Sequence, residues 1–501
     1  MMNNKRLAKS LIANIIALVV NSGISFFLTP YIVNHVGSEA YGFVNLANNF
    51  TGYAMVLTVA LNSMAGRFIT IEYENGNDEN VNKYFSSALY GNVLMCLILL
   101  LPSAFCVLFL DSLVKISTEL VNDIKILFAF VFLSFFITLI NATFSTSLFV
   151  VNRKDIEARR NIESYIIKAS LLLLLYALLK PKVYYVGITL LVTALYSLIA
   201  NIYLTRRYLP CVTINKRFIS VGNVRTLISS GVWNSLTKLS YILTDGLDLL
   251  ITNLYISSEM MGVLSIAKLL PSVITVLVAT VAGVFVPNYV IAFAHGDKDE
   301  FKHKIKQSMV ISSTISNICL TSLVVIGNSF FMLWVPNEDS DLLQVLSILT
   351  IAGMTVNGGI QCVYNIFSVV NKIKINSIVN LISDLGIVLT VLLLLKTTDL
   401  GVYAVAGVSS FVIIIRSLCF SVPYAAYCSQ IEKWFFYKQI VLNLLALFVS
   451  VVIAMMLKSF FDISTWWDII VVALLCCITS FIVHMTLFGE LKVFIRRIIA
   501  K

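Results

Sequence analysis

Residues 38–47 of the chain read SEAYGFVNLA and residues 258–267 read SEMMGVLSIA, so one motif occurs twice at an offset of 220 residues. The same offset relates three further pairs of identical residues without a gap, namely Ser10 and Ser230, Asn14 and Asn234, and Gly76 and Gly296. A repeat of this kind in an apolar chain is typical of transporters built from two related halves. The sequence therefore predicts two copies of one helical unit.

Each copy consists of apolar stretches long enough to cross a bilayer. Apolar residues make up 59% of the 501 residues, charged residues make up 12%, and the mean hydropathy is +0.91. A spanning helix needs roughly 20 mostly apolar residues. About fourteen stretches meet this requirement, beginning near Ser10, Tyr41, Phe85, Asn122, Ile162, Val183, Thr226, Gly262, Lys306, Asp341, Asn376, Leu400, Lys438 and Trp466. The predicted fold class is an all-α integral membrane protein with about 14 transmembrane helices.

The spacing of the repeat predicts how these helices are grouped. An offset of 220 residues covers six predicted spans, and because six is even, the two copies have the same orientation across the membrane. We expect a six-helix lobe in residues 1–212 and a second one in residues 213–424, facing each other across a central cavity. Residues 425–501 add two helices and a basic cytoplasmic tail. Such parallel repeats suit alternating access.

The distribution of Lys and Arg tests this layout. With a cytoplasmic N-terminus, 26 of the 36 basic residues fall on the cytoplasmic side, six fall outside and four lie within helices. This excess on one side is the pattern of multi-spanning proteins, and it places both termini in the cytoplasm. The net charge of +10 reflects the same pattern and favours anionic membrane lipids as partners. No nucleic-acid partner is predicted.

The composition argues against an enzyme. No loop is longer than about 20 residues, which leaves no room for a catalytic domain outside the membrane. The four histidines lack metal-ligand spacing, the nine cysteines form no CxxC pair, and the chain has no phosphate-binding P-loop. We predict no catalytic residue, no metal site and no cofactor.

A polar stripe on the predicted seventh helix is the main candidate for a transport pathway. Its members follow spacings of 4, 3, 4, 3 and 4 and are Asn234, Lys238, Tyr241, Asp245, Asp248 and Thr252. Charges inside a membrane helix rarely face lipid and often mark a pathway. Lys238 and Asp245 could instead form an internal ion pair, but Asp248 adds a second carboxylate. Two nearby carboxylates could also share a proton and so couple transport to H+.

Further pathway candidates lie on other helices. The related first helix carries a neutral polar stripe of Asn14, Asn21 and Ser25, and the second helix carries the amides Asn45, Asn48 and Asn49. Lys268 occupies the repeat position of Asn48, although it could also extend to the outer surface. Asp384 lies near the middle of the eleventh helix without an obvious partner nearby in the sequence, whereas Arg416 is expected to extend to the inner surface. For the amides of the second helix, the alternative to a pathway role is helix packing.

The run PYIVNHVGSEAYGFVNLA at residues 30–47, followed by LNSMAGRF at residues 61–68, resembles bacterial polysaccharide flippases. These are the Wzx-type O-antigen and capsule transporters of the multidrug/oligosaccharidyl-lipid/polysaccharide (MOP) exporter superfamily. The resemblance implies a MATE-like, V-shaped fold in the bacterial cytoplasmic (inner) membrane. It also implies that undecaprenyl-diphosphate-linked oligosaccharides are turned from the inner to the outer leaflet for surface polysaccharide or lipopolysaccharide biosynthesis, alongside other polysaccharide-assembly membrane proteins. Arg67, within the second segment, could then contact the diphosphate, because its planar guanidinium fits phosphate. It could equally be an ordinary cytoplasmic anchor of the positive-inside pattern.

Two other functions are compatible with the sequence. A multidrug or cation antiporter of the same fold would use an acidic cavity, and Asp245 with Asp248 partly provides one. A membrane glycosyltransferase or polysaccharide polymerase would need catalytic groups on a large outer loop, which this sequence lacks. H+ and Na+ both remain candidates for a coupling ion.

Overall fold

The structure is a computed structural model that describes residues 4–294, 298–370 and 372–489, with the backbone alone at residues 4–15 and at six later positions. The described residues are predominantly helical and contain no strand. Helices predominate because a backbone in lipid must satisfy its hydrogen bonds within its own segment. The predicted all-α fold class is confirmed.

The helices follow one another through two compact units, Met1–Gly262 and Val263–Lys501. The helices up to the boundary are Asn4–Glu74, Asp78–Leu108, Leu110–Leu113, Val121–Val150, Lys154–Leu178, Tyr184–Tyr208, Val221–Tyr241, Asp248–Tyr255 and Ser258–Ala267, with a 3₁₀ turn at Lys216–Phe218 and a π-helical turn at Ile242–Gly246. Those after it are Leu269–Val284, Val286–Ala294, Lys298–Trp334, Ser340–Ile351, Met354–Ile360, Val363–Val369, Ile373–Thr397, Val402–Arg416, Val422–Ser429, Lys433–Lys458 and Trp466–Leu487, with a π-helical turn at Ser417–Ser421. The predicted lobe boundaries at residues 212 and 424 remain predictions.

Short polar segments end and restart the helices. Gly37 has a φ of 86° and breaks the helical geometry inside Asn4–Glu74, a conformation that glycine adopts without steric cost. The Asn77 side chain accepts from the backbone amide of Asn80 and so caps the next helix. Thr465 and Asp468 form a capping box at the start of the last described helix.

Eleven helices of the described chain are long and apolar enough to cross a membrane, or up to twelve if the bent pair Ser340–Ile351 and Met354–Ile360 forms one span. The predicted number of 14 is therefore not confirmed. Two features lower the number. The first two predicted spans join across the break at Gly37 into a single long helix. The predicted seventh span, residues 221–255, is interrupted and polar, and it does not meet the criterion of apolar length.

Each unit has its own buried core and an apolar exterior. In the first unit, Leu61, Phe85 and Phe144 pack together with Leu227. In the second unit, a separate cluster forms around residues such as Tyr289. Large aliphatic side chains point outward, for example Leu101, which is 77% exposed. Such a surface is stable in lipid, where an apolar exterior carries no hydration cost.

Candidate functional site

Residues 221–255 do not form one regular helix. A π-helical turn at Ile242–Gly246 separates Val221–Tyr241 from Asp248–Tyr255. The wider turn contains about one extra residue, which rotates the side chains that follow by roughly 100°. The stripe predicted for a regular helix is therefore divided. Before the break, Lys238 is half-buried and Tyr241 is exposed, whereas after it Asp248 and Thr252 are buried.

Two side chains of the Asn4–Glu74 helix bind the backbone at this break. The Asn49 side-chain amide donates to the Gly246 carbonyl oxygen at 3.0 Å, and the Tyr53 hydroxyl donates to the same oxygen at 2.6 Å. Asn49 and Tyr53 are four residues apart and share one helix face. Gly246 lies between the predicted pathway residues Asp245 and Asp248. The structure thus places Asn49 beside the segment that contains Asp245 and Asp248, and all three are predicted pathway residues.

Glycines allow the Asn4–Glu74 helix to approach the helices Val221–Tyr241 and Ser258–Ala267 closely. A methyl group added to Gly231 would lie 1.9 Å from the Ala60 carbonyl oxygen, and one added to Gly42 would lie 2.8 Å from the Gly262 α-carbon. Gly42 and Gly262 occupy the same position in the two copies of the repeat. Equivalent residues that meet in this way are expected where two related elements pack around a shared axis.

The charged and aromatic groups near the break also interact. The Lys238 ammonium lies 5.0 Å from the centre of the Tyr241 ring, a distance typical of a cation–π contact. Tyr53 lies close enough to Asp248 for an electrostatic interaction. The sequence analysis missed Tyr53, although its position four residues after Asn49 places it on the predicted polar face.

The other predicted pathway residues of the first unit differ in exposure. Three are exposed, namely Asn21, Asn48 and Arg67, and four are half-buried, namely Ser25, Asn45, Asn234 and Asp245. The Ser25 carbonyl oxygen accepts from the Thr29 hydroxyl at 2.8 Å. The side chain of Asn14 lies outside the described residues. Nothing in the described structure shows that these residues bind the same molecule, so their role in a transport pathway stays a prediction.

Two predicted pathway residues belong to the second unit. Lys268 is half-buried and immediately precedes the helix Leu269–Val284. Asp384 accepts from the Arg416 guanidinium at 2.7 Å, and the two side chains are only 2% and 12% exposed. The expectation that Arg416 extends to the inner surface is therefore wrong, because a buried carboxylate on the neighbouring helix holds it. The sequence could not show this partner, which lies 32 residues away.

The chemistry available at the break is hydrogen bonding and charge. Amide, hydroxyl and carboxylate groups together can bind a polar or charged solute inside the membrane. Within the described part of the chain, no three His, Cys, Asp or Glu side chains lie close enough together to hold a metal ion.

Comparison with known protein sequences gives two matches that bear on function. The family described as polysaccharide biosynthesis protein matches residues 7–292. The uncharacterized membrane protein EpsK of Bacillus subtilis (strain 168) is 25% identical over 459 residues, which cover 91% of this chain and 90% of EpsK. The family match confirms the predicted resemblance at the level of a polysaccharide biosynthesis family.

Comparison with solved structures shows the fold. The lipid II flippase MurJ in an inward closed conformation matches 99% of this chain and 100% of its own, with a TM-score of 0.68 and 15% identity. An inward-facing multidrug resistance MATE transporter of the MOP superfamily matches 83% of this chain and 95% of its own, with a TM-score of 0.65 and 14% identity. The fold is therefore MATE-like, as the sequence predicts.

Proposed function

We propose that this chain, which belongs to the polysaccharide biosynthesis protein family, is a flippase that moves a lipid-linked oligosaccharide from the inner to the outer leaflet. The family match supports a role in polysaccharide assembly. The MATE-like fold supports transport by alternating access, because two related halves can rock around a fixed site. No chemical step on the glycan is part of this function.

The polar break at Gly246 is the structural observation that carries the proposal. A sugar presents many hydroxyl groups, and each must keep hydrogen-bond partners when it leaves water. The break supplies donors from Asn49 and Tyr53 beside the acceptors Asp245 and Asp248, within an apolar chain. A broken helix at membrane depth is tolerated where it is buried in protein or lines a water-filled cavity.

The substrate we propose is an oligosaccharide repeat unit on undecaprenyl diphosphate, destined for an O-antigen or capsule polysaccharide. The protein would act in the bacterial cytoplasmic membrane with both termini in the cytoplasm, alongside other membrane proteins of polysaccharide assembly. Exposed Arg67 would contact the diphosphate, since a guanidinium binds phosphate through two parallel hydrogen bonds. H+ or Na+ would drive the cycle, with Asp245 and Asp248 as the groups that bind the ion.

Deletion of the gene in its own host tests the proposal. We expect lipid-linked glycans to accumulate on the cytoplasmic face, measured by extraction and by assignment of their leaflet. Wild type should restore export, whereas Asp245→Asn should reduce it by about 10-fold or more, because hydrogen bonds to a charged group contribute about 1.5–3 kcal/mol. Asp399→Asn, in an exposed loop of the second unit, is the matched control and should restore export fully.

The same strain distinguishes a multidrug or cation antiporter, which the two carboxylates also favour. Unchanged glycan lipids together with raised drug sensitivity would overturn the flippase and support the antiporter. If the Asp245→Asn variant exports glycan as well as the wild type, the polar break is not part of the transport pathway.

A further inference from the structure

A second polar feature lies in the second compact unit. A cavity of about 580 Å³ opens where the helices Val422–Ser429 and Lys433–Lys458 meet. Its lining includes Lys372, Glu432 and Lys433, together with Tyr427 and Gln430. The transport function proposed above does not use this cavity.

Basic groups outnumber acidic ones at the cavity. Lys372 and Lys433 belong to its lining, and the Lys298 ammonium donates to the Gln430 side-chain oxygen at 2.7 Å. The cavity therefore has three ammonium groups in or beside its lining and one carboxylate, that of Glu432. The chain also turns sharply here, because Gln430 has a φ of 55° and ends its helix in the left-handed region. An anion is the ligand that this charge distribution favours.

Exposed aromatic rings flank the same lysines. The Lys372 ammonium lies 4.9 Å from the centre of the Tyr427 ring, and the Lys433 ammonium lies 5.9 Å from that of Trp434. Tyr427 and Trp434 are 72% and 70% exposed. Tyr and Trp concentrate at the level of the lipid headgroups, where a ring can contact lipid while its polar edge contacts water. The cavity therefore has the surroundings of a site at the membrane surface.

The basic residues around the cavity lie on the predicted cytoplasmic side. Lys298, Lys372 and Lys433 all belong to loops or helix ends that the positive-inside pattern places there. The cytoplasmic leaflet carries anionic lipids, and basic pockets between membrane helices on this side bind their headgroups. A free phosphate ion would not use the exposed rings, whereas the glycerol and upper acyl chains of a lipid would lie against them.

We propose that this cavity binds the phosphate of an anionic phospholipid headgroup from the cytoplasmic leaflet. Lys372 and Lys433 contact the phosphate, and Tyr427 and Trp434 contact the lipid below it. The proposal is independent of the glycan substrate.

Trp434 provides a direct readout of binding. The purified full-length chain, in a non-ionic detergent, is titrated with brominated phosphatidylglycerol, which quenches a tryptophan in contact with it. The difference between the wild type and Trp434→Phe gives the share of quenching at Trp434. The double variant Lys372→Gln/Lys433→Gln should bind roughly 25-fold more weakly, because each lysine near an anionic surface contributes about 5-fold in affinity.

The matched control is Lys216→Gln/Arg217→Gln, which removes the same charge from two exposed residues of the 3₁₀ turn Lys216–Phe218 in the first unit. It should change binding by less than about 2-fold, since exposed charges outside the site are screened by salt. Equal weakening in both double variants would overturn the proposal in favour of diffuse surface attraction. Equal quenching by brominated phosphatidylcholine would overturn it as well, because that lipid has no net charge.

Two further measurements separate loss of the site from loss of the fold. Lys372→Arg/Lys433→Arg keeps both charges and should bind within about 3-fold of wild type, since arginine also binds phosphate. Loss of binding in this variant at an unchanged melting temperature would contradict the proposed contacts. Inorganic phosphate should not displace the lipid at equal concentration. Displacement would show that the site recognises the free ion and would overturn the lipid assignment.

Discussion

Two regions of the chain place carboxylates among apolar helices, but the groups around the carboxylates differ. In the second unit, Asp384 lies 2.7 Å from Arg416, and both side chains are nearly or fully buried. In the first unit, Asp245 and Asp248 flank Gly246, whose carbonyl oxygen accepts from Asn49 and Tyr53. The Asp384 region joins two helices through opposite charges, and a π-helical turn at Ser417–Ser421 follows Arg416 directly. The Gly246 region combines a π-helical turn with neutral donors.

This difference separates a structural role from the proposed transport role. A buried ion pair fixes one arrangement, since separating the charges in a low-dielectric interior is costly. Both regions adjoin a π-helical turn, a feature that is frequent at functional sites, so the distinction rests on their side chains. Hydrogen bonds from neutral side chains can be exchanged for bonds to a polar solute at small net cost. We therefore expect the Asp384 region to hold its unit together and the Gly246 region to rearrange.

The largest effect should come from breaking the ion pair. Asp384→Ala leaves the buried Arg416 guanidinium without its carboxylate and should lower the free energy of unfolding by about 3–5 kcal/mol. Thermal unfolding of the purified protein in detergent measures this loss. Removing both charges, as in Asp384→Leu/Arg416→Met, should recover most of it, because no charge is then left buried.

A surface ion pair provides the control for this experiment. Arg159 contacts Glu163 at 3.0 Å, but the Arg159 side chain is 76% exposed. Arg159→Ala should therefore cost less than about 1 kcal/mol. A loss of similar size for Asp384→Ala would show that the buried pair is also weak and would remove the proposed difference between the two regions.

A smaller effect should come from the break itself. Tyr53→Phe removes one of the two donors to the Gly246 carbonyl oxygen, which keeps its bond from Asn49. The expected loss of stability is about 0.5–1.5 kcal/mol, whereas glycan export in the complemented strain should fall further than this loss explains. Both are measured on the same variant, by thermal unfolding and by glycan extraction.

Tyr437 offers a matched comparison, because its hydroxyl donates to the Leu418 carbonyl oxygen at 2.6 Å. Tyr437→Phe should lose similar stability without a specific loss of export. If the two variants lose export equally, the break has no special part in transport.

Local sequence patterns predicted helices, their orientation and the polar character of the seventh segment. Asn49 and Asp248 were both predicted as pathway residues, and the structure brings their helices together. The break at residues 242–246 was not predicted, because the sequence ILTDG contains no proline and fits a regular helix as well. The contact between Asp384 and Arg416 joins two different helices. It depends on how those helices pack, and the pattern of residues within one helix does not determine that packing.

An ion pair with an exposed carboxylate should give the smallest effect of the comparison. Asp111 accepts from Lys125 at 2.8 Å, and this hydrogen bond holds the pKa of the Asp111 carboxyl below its usual range. A lowered pKa means that the pair stabilises the fold at pH values above the pKa of the unfolded state, about 3.9. This contribution disappears as the pH falls through the pKa of the folded state.

The melting temperature of Asp111→Asn should therefore lie slightly below that of wild type near neutral pH, and the two melting temperatures should converge in acid. The difference should become clearly smaller in a Lys125→Gln background, where the backbone amides of Asp111 and Ser112 remain as partners of the carboxyl. An undiminished difference in that background would mean that Lys125 is not the main partner of Asp111, and a difference as large as that of Asp384→Ala would mean that burial does not set the strength of these pairs.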